Sequence, residues 1–399
     1  MRPSLSRCDD ERMRVLVVTL PDKGNYHPLL GPAAELVRRG HDVTFTCQHD
    51  ISAELSAAGA KVKLASGAQP APKEPSGEKL AKHLFDPVSL AGFNRKLLVD
   101  APRAFVEPMR EVIRSVKPDV MAIDTVAYAG VIAAELEKVP WVGWATSLGP
   151  VIPDSFDSRL IRTLRLLDAA RGAMFQSHNV SAKFRVVDAL SPRGTAVFAT
   201  EALTGPAPSD DIHLVGPSLG GTRGGDKVDL AFAEGRPLVY ATFGTHAYYQ
   251  PARFDKLFEA AASVDIAIVC AMGPLAEEYE DSRWVRCVNY VDQIALLPRC
   301  AAVLHHGGSS TVMEACAFGV PQIVAPVYND QPHNARLVQR AGCGVSIDLE
   351  GAPTSELVAA LERLLADGDE RTAAREVATS YLARPGSRGA ADLVEKARA

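Results

Sequence analysis

The sequence predicts an α/β fold with strands buried on both faces by helices, because short continuous apolar runs alternate with segments of helical period almost from end to end. Two further observations divide it. A chain of 399 residues is long for one ordinary domain and suits two, each with its own core. Near the middle, Val215-Gly216-Pro217 followed by Gly220 to Gly225 is too poor in apolar residues to fold alone and reads as a linker.

Residues 1–12 are polar and read as a disordered extension, with Met13 a candidate start. The apolar run after it is short and interrupted by Arg14, too brief for a signal segment or a membrane span, so Arg14–Leu20 is expected as the first core strand. Leu29, Leu30, Ala33, Leu36 and Val37 then share one helix face, and Gly40 ends that helix. Strands are expected at Asp42–Thr46, Lys61–Leu64, Val120–Ile123, Trp141–Trp144 and Thr195–Phe198. After the linker the alternation restarts with strands at Pro237–Thr242, Ile266–Cys270, Val285–Cys287, Ala302–Leu304, Gln322–Val324 and Gly344–Ile347, and the tail from Ser355 is helical. The expected organisation is a Rossmann-like domain over 13–215, a linker over 216–236, a second Rossmann-like domain over 237–380, and a C-terminal helix over 381–399 that can cross back to the first domain.

Composition excludes several classes. A net charge of -5 gives no reason to expect a nucleic-acid partner. The seven cysteines are scattered, odd in number and form no C-x-x-C pair, so neither a disulfide framework nor a zinc site is indicated and a reducing cytoplasm fits. Asp154-x-x-Asp157 and Asp367-x-Asp369-Glu370 lie in expected loops with no histidine or converging third acid, and read as solvated turns.

The most informative segment runs from His305-His306-Gly307-Gly308-Ser309-Ser310-Thr311 through Glu314 and Gly319-Val320-Pro321 to Asn329-Asp330-Gln331. A strand, a glycine-serine turn and a helix from Thr311 to Phe318 place helix N-terminal amides at the turn, which suits phosphate. The carboxylate and amide at its end suit sugar hydroxyls. Two parallel sheets facing each other would place such motifs at the carboxyl ends of strands, where ligands bind in these folds. His305 is expected to be an ordinary strand-end histidine. His246, Tyr248 and Tyr249 follow Gly244-Thr245 and are candidates for the cleft wall.

From Tyr290 to Asn334 the chain resembles the nucleotide-sugar signature of family 1 glycosyltransferases of the GT-B fold, and it looks most like their bacterial natural-product branch. The resemblance rests on Gln293, His306-x-Gly308, Ser310-Thr311, Glu314, Gly319-Val320-Pro321, Pro326 and Asp330-Gln331-x-x-Asn334-Ala335. Leu36-x-x-x-Gly40-His41, Val215-Gly216-Pro217 and Phe243-Gly244-Thr245 extend it more weakly. It implies that His306, Gly308, Ser309, Ser310 and Thr311 hold a donor diphosphate with help from Gly244 and Thr245. It further implies that Glu314 accepts from ribose hydroxyls, that Tyr290 stacks on the nucleobase beside Val291 and Gln293, and that Asp330 and Gln331 grip the donor sugar.

The acceptor side departs from that pattern. The family carries Gly-His-x-x-Pro after the first strand, its histidine held by an aspartate about a hundred residues on. Here the segment is Gly24-Asn25-Tyr26-His27-Pro28, so Asn25 stands where the base should be, and an amide is no base at neutral pH. Asp124 matches the partner aspartate. Three explanations stay open: His27 pairs with Asp124 through a differently shaped loop; Asp124 or Asp22 acts directly, or an acidic acceptor needs little help; or the protein binds donor without transferring it. The segments Ser66 to Lys79 and Phe85 to Pro108, where the family's acceptor loops vary, do not identify the acceptor.

The expected activity is inverting sugar transfer from a UDP or dTDP sugar to a hydroxyl, phenol or amine of a small, largely apolar natural product. No metal or organic cofactor is expected, the nucleotide sugar being a co-substrate. No nucleic acid, no stable membrane insertion and a monomer or homodimer complete the expectation. A lipid or carotenoid acceptor, a nucleotide-sugar 2-epimerase and a non-catalytic sugar-nucleotide-binding partner are the alternatives.

Overall fold

The computed structural model describes residues 12–56, 60–70, 86–221, 223–245 and 248–398. The expected extension up to Glu11, most of the Ser66–Lys79 stretch, Phe85 and His246 lie outside the described residues. The twelve strands expected from the sequence are present, their ends shifted by at most two residues.

The first sheet contains β1 (Arg14–Thr19), β2 (Asp42–Cys47), β3 (Lys61–Val62), β4 (Val120–Asp124), β5 (Trp141–Ala145), β6 (Thr195–Val197) and β7 (Ile212–Leu214). They pair in the order β7-β6-β5-β4-β1-β2-β3, all parallel, with Val15 opposite both Val43 and Val120. The second sheet contains β8 (Leu238–Thr242), β9 (Ala267–Ala271), β10 (Val285–Val288), β11 (Ala302–His305), β12 (Gln322–Val324) and β13 (Gly344–Ser346). Their order, β10-β9-β8-β11-β12-β13, is again all parallel, with Val239 opposite both Ile268 and Ala302. In both sheets the strand order reverses beside the first strand, at β1/β4 and at β8/β11. Loops leaving a sheet at such a point diverge and open a crevice for a ligand.

The edge strand β7 is unforeseen because it is only three residues long and has His213 at its centre. Two short pairs outside the main sheets, His49–Asp50 with Gln69–Pro70 and Lys183–Arg185 with Asp188–Leu190, are also unforeseen.

One expected loop is helical. The helix Lys23–Arg38 takes in Gly24 to Pro28, beginning directly after Asp22. Pro28 and Pro32 both lie inside it, and each lacks the N–H that would bond to the carbonyl four residues back. The carbonyls so released are those of Gly24 and Pro28. Ser310 Oγ donates to the first at 3.3 Å and Ser218 Oγ to the second at 2.6 Å, so the two prolines create docking points for the second half of the chain.

The C-terminal helix Ser387–Ala397 packs on the first half, against the helix Lys23–Arg38 and strand β5. Trp144 Nε1 donates to the carbonyl of Ala390 at 3.2 Å, and Arg39 reaches Asp392 and Glu395 at 2.7 and 2.6 Å. A continuous buried cluster joins Leu29, Leu30 and Trp144 of the first half to Val312, Met313 and Tyr381. Among the described residues no helix is long and apolar enough to cross a membrane.

Candidate functional site

Between the carboxyl ends of the two sheets lies a cavity of about 430 Å³. Its wall on the second half comes from the loops after β8 and β11 and from the turn at 328–331. Gly244 follows β8 with φ +79°, and a Cβ there would lie 2.6 Å from His306 Cε1. A Cβ on Gly308 would lie 2.6 Å from His306 Nε2. The imidazole of His306 is therefore held in a slot that only two glycines leave open. The helix Ser309–Phe318 begins directly after Gly308, and its first intrahelical bond is from Val312 N to Gly308 O. The amides of Ser309, Ser310 and Thr311 thus have no partner within the helix, and they concentrate positive potential at the cavity.

His305 has a structural part. Gly307 N donates to its Nδ1 at 3.1 Å, so Nε2 carries the proton and donates to Gln322 Oε1 at 3.0 Å. Burial lowers its pKa to about 4, which keeps the ring neutral. Asp330 accepts from Ser309 Oγ at 3.0 Å and from Asn334 Nδ2 at 3.1 Å, and burial raises its pKa. Gln331 Oε1 accepts from the N–H of Val327 and Tyr328 at 2.8 and 2.9 Å, so only its amide nitrogen can turn to a ligand. Of the expected donor residues, Gly244, Thr245, Tyr290, Gln293, His306, Gly308, Ser309, Ser310, Thr311, Asp330 and Gln331 line this cavity. Tyr248, a buried core residue, lines it too, whereas Tyr249 packs half-buried against the same core.

Glu314 and Val291 differ from expectation. The Val291 side chain packs with Leu238 and Tyr240 and does not line the cavity. Glu314 is buried behind the wall, where Arg223 Nη1 meets Oε1 at 2.5 Å and Gln293 Nε2 donates to Oε2. Burial raises the Glu314 pKa and Arg223 opposes the rise. A buried carboxylate needs such a partner. Arg223 sits in the glycine-rich stretch read from the sequence as a plain linker. The lone acid on the apolar Ser309–Phe318 helix was the one signal that a cation had to come from elsewhere.

The first half supplies Asp22, Lys23, Gly24, Asn25 and His27 to the same cavity. The expected pairing of His27 with Asp124 is not formed. Asn25 Nδ2 donates to Asp124 Oδ2 at 2.8 Å and to Thr146 Oγ1 at 3.1 Å, because the helical start of Lys23–Arg38 turns Asn25, and not His27, toward β4. Asp124 is fully buried behind Asn25, and burial raises its pKa to about 7. His27 instead places Nδ1 3.5 Å from the hydroxyl of Tyr290. Burial, with Arg223 and Lys23 nearby, lowers its pKa to about 3, too weak for a base at neutral pH. The ammonium of Lys23 lies 3.5 Å from the Tyr290 ring centroid and covers one ring face.

A second cavity of about 190 Å³ adjoins the first, sharing Asp22, Asn25, Thr146, Ser147, Tyr328, Asn329 and Asp330. Phe93, Leu97, Leu98, Ile152, Leu164 and Val187 make most of its remaining wall apolar. Leu97 and Leu98 sit in a π-helical stretch, Lys96–Asp100. Asp188 is the residue that sequence reading missed here. It is fully buried, accepts from Thr125 Oγ1 at 2.6 Å and Ser147 Oγ at 3.2 Å, and burial raises its pKa to about 7. Gly149 makes its space, since a Cβ there would lie 1.9 Å from Asp188 Oδ2. A lone acid between Val187 and Ala189 was its only trace in the sequence. Among the described residues no three His, Cys, Asp or Glu side chains converge as metal ligands.

Two parallel-sheet units with a phosphate-suited turn across from an apolar pocket define a class, and comparison with known proteins agrees. The structure of the kitacinnamycin glycotransferase superimposes with a TM-score of 0.77 at 23% identity, over 97% of this chain and 100% of that one. Glycosyltransferase VinC, solved in complex with dTDP, gives 0.70 at 23% identity over 96% and 99%. L-demethylnoviosyl transferase of Streptomyces niveus is 28% identical over 396 residues, 94% of this chain and 95% of the relative. The chain has the GT-B fold of these structures, and the relatives it resembles are sugar-transferring enzymes. More particularly, residues 255–396 match the C-terminal domain family of erythromycin biosynthesis protein CIII-like proteins.

Proposed function

We propose that the protein is an inverting glycosyltransferase that moves a sugar from a UDP or dTDP sugar to a hydroxyl, phenol or amine of a small, largely apolar natural product. One observation carries this reading: a polar cavity at a helix N-terminus opens, at Asp22, Asn25 and Asp330, into an apolar pocket on the other sheet. The dTDP complex of VinC and the erythromycin-biosynthesis family matched by residues 255–396 support the same donor and acceptor classes.

In this reading His306 and the amides of Ser309 to Thr311 bind the diphosphate, and Asp330 with Gln331 orients the sugar. The acceptor atom attacks the anomeric carbon as the bond to the diphosphate oxygen breaks, and the acceptor proton leaves to a carboxylate. Helix amides and an imidazole stabilise the departing diphosphate without a metal or organic cofactor. Asn25 accepts no proton, and His27 is too weak a base. Asp22, which lines both cavities, takes that part. A cytoplasmic monomer or homodimer completes the proposal.

The test is release of UDP or dTDP from UDP-glucose and dTDP-glucose over a panel of phenols, alcohols and amines, with the product anomer read by NMR. Product of inverted configuration is expected. Retained configuration overturns the single displacement. Tight nucleotide binding with no release over the whole panel supports instead the non-catalytic reading that Asn25 motivates.

A further inference from the structure

The glycine-rich stretch between the sheets is tied to both halves. Ser218 Oγ donates to the Pro28 carbonyl, and Gly220 backs so closely onto Gly31 that a Cβ on it would lie 2.5 Å from Gly31 Cα. Asp226 closes the other end: its N–H donates to Tyr290 O at 2.7 Å, and its carboxylate accepts from Asn289 N at 2.9 Å. Between these anchors Gly221, Gly224 and Gly225 take left-handed φ values of 89°, 62° and 117°, which lets the chain turn Arg223 inward. Arg223 is 8% exposed and lines the larger cavity, with Glu314 behind it.

Only part of the guanidinium is used. Nη1 meets Glu314, whereas Nε and Nη2 are buried without a hydrogen-bond partner. These two nitrogens form one edge of the planar group, with parallel N–H bonds, and that edge receives two oxygens of a carboxylate or phosphoryl group side by side. Leaving it unmet inside a protein is unfavourable, and an oxyanion satisfies both donors at once.

We propose that Arg223 is a donor-binding residue whose Nε–Nη2 edge grips a phosphoryl group of the nucleotide diphosphate, while Nη1 stays on Glu314 and fixes the plane of the fork. The edge is closed off from bulk water, so the contact forms as the cavity wall adjusts around the ligand. The stretch between the sheets then forms a third wall of the donor site, alongside the His306 turn and the residues around Tyr290. The inference rests on the glycosyl-transfer reading and adds a residue to its donor site.

The experiment is isothermal titration of UDP, dTDP, uridine and thymidine into wild type, Arg223→Ala, Arg223→Lys and the double variant Arg223→Ala/Glu314→Gln, which leaves no unpaired buried charge. Arg223→Ala and the double variant should bind both diphosphates about 10- to 100-fold more weakly and the nucleosides within about twofold of wild type. Arg223→Lys, which keeps the charge and loses the fork, should fall between. Equal weakening of nucleosides and diphosphates in the double variant makes Arg223 merely structural and overturns the proposal, as does unchanged diphosphate binding. Wild-type protein that binds neither diphosphate overturns the donor-site reading itself.

Discussion

Replacing Gly244 by alanine tests whether the glycine slot holds His306 for work on the donor. The new Cβ would stand 2.6 Å from His306 Cε1 and 2.7 Å from Nε2, so the ring must retreat by about 0.8 Å to reach ordinary contact. Gly308 borders the same ring, since a Cβ there would lie 2.6 Å from Nε2. The backbone term comes in addition: alanine at φ +79° costs about 1–2 kcal/mol of stability. Displacing the imidazole removes one hydrogen bond to a charged oxygen, about 1.5–3 kcal/mol, or about 10- to 150-fold in affinity. Gly235→Ala is the control, because Gly235 has φ +82° and an added Cβ there would meet nothing within 4 Å, so it carries the backbone cost alone. The assay is titration of dTDP and UDP, with thermal melting to follow stability. If Gly244→Ala binds both nucleotides like wild type, or Gly235→Ala weakens them equally, the slot has no role in donor binding.

Three other expectations follow from the site. Glu314→Gln leaves the Arg223 charge buried without its counter-ion, and breaking a buried pair costs about 3–5 kcal/mol, read as a lower urea midpoint; a midpoint equal to wild type would refute the pairing. Asp188 binds its proton more tightly folded, at about 7, than unfolded, at 3.8, so its contribution to stability falls as pH rises through that window. Stability should therefore decline between about pH 4 and pH 7 more steeply in wild type than in Asp188→Asn, which keeps an acceptor for Thr125; parallel curves from urea unfolding would count against it. Asn25→His sets an imidazole against Asp124 and should raise turnover on alcohols by up to about 10²-fold but barely on phenols, whose own acidity replaces the base; an equal gain on both would show that proton removal does not limit the reaction.

The strands and the phosphate-suited turn were legible because their causes are local. An apolar run needs burial wherever it lies, and Gly307-Gly308 before the Ser309–Phe318 helix carries its backbone requirement in adjacent residues. The helical start at Lys23 was not legible, since Gly24 to Pro28 reads as a loop until the carbonyls released by Pro28 and Pro32 find Ser310 and Ser218.

The sequence by itself determined two parallel-sheet units, their strand positions and the residues of the glycine-serine turn, because hydrophobic period and glycine placement act over a few neighbours. Only the tertiary structure decided which polar groups meet. Asn25 with Asp124, Thr125 with Asp188 and Arg223 with Glu314 are each more than sixty residues apart. A buried charge is held by whichever partner the packed chain brings within about 3 Å, and no spacing along the chain encodes that distance.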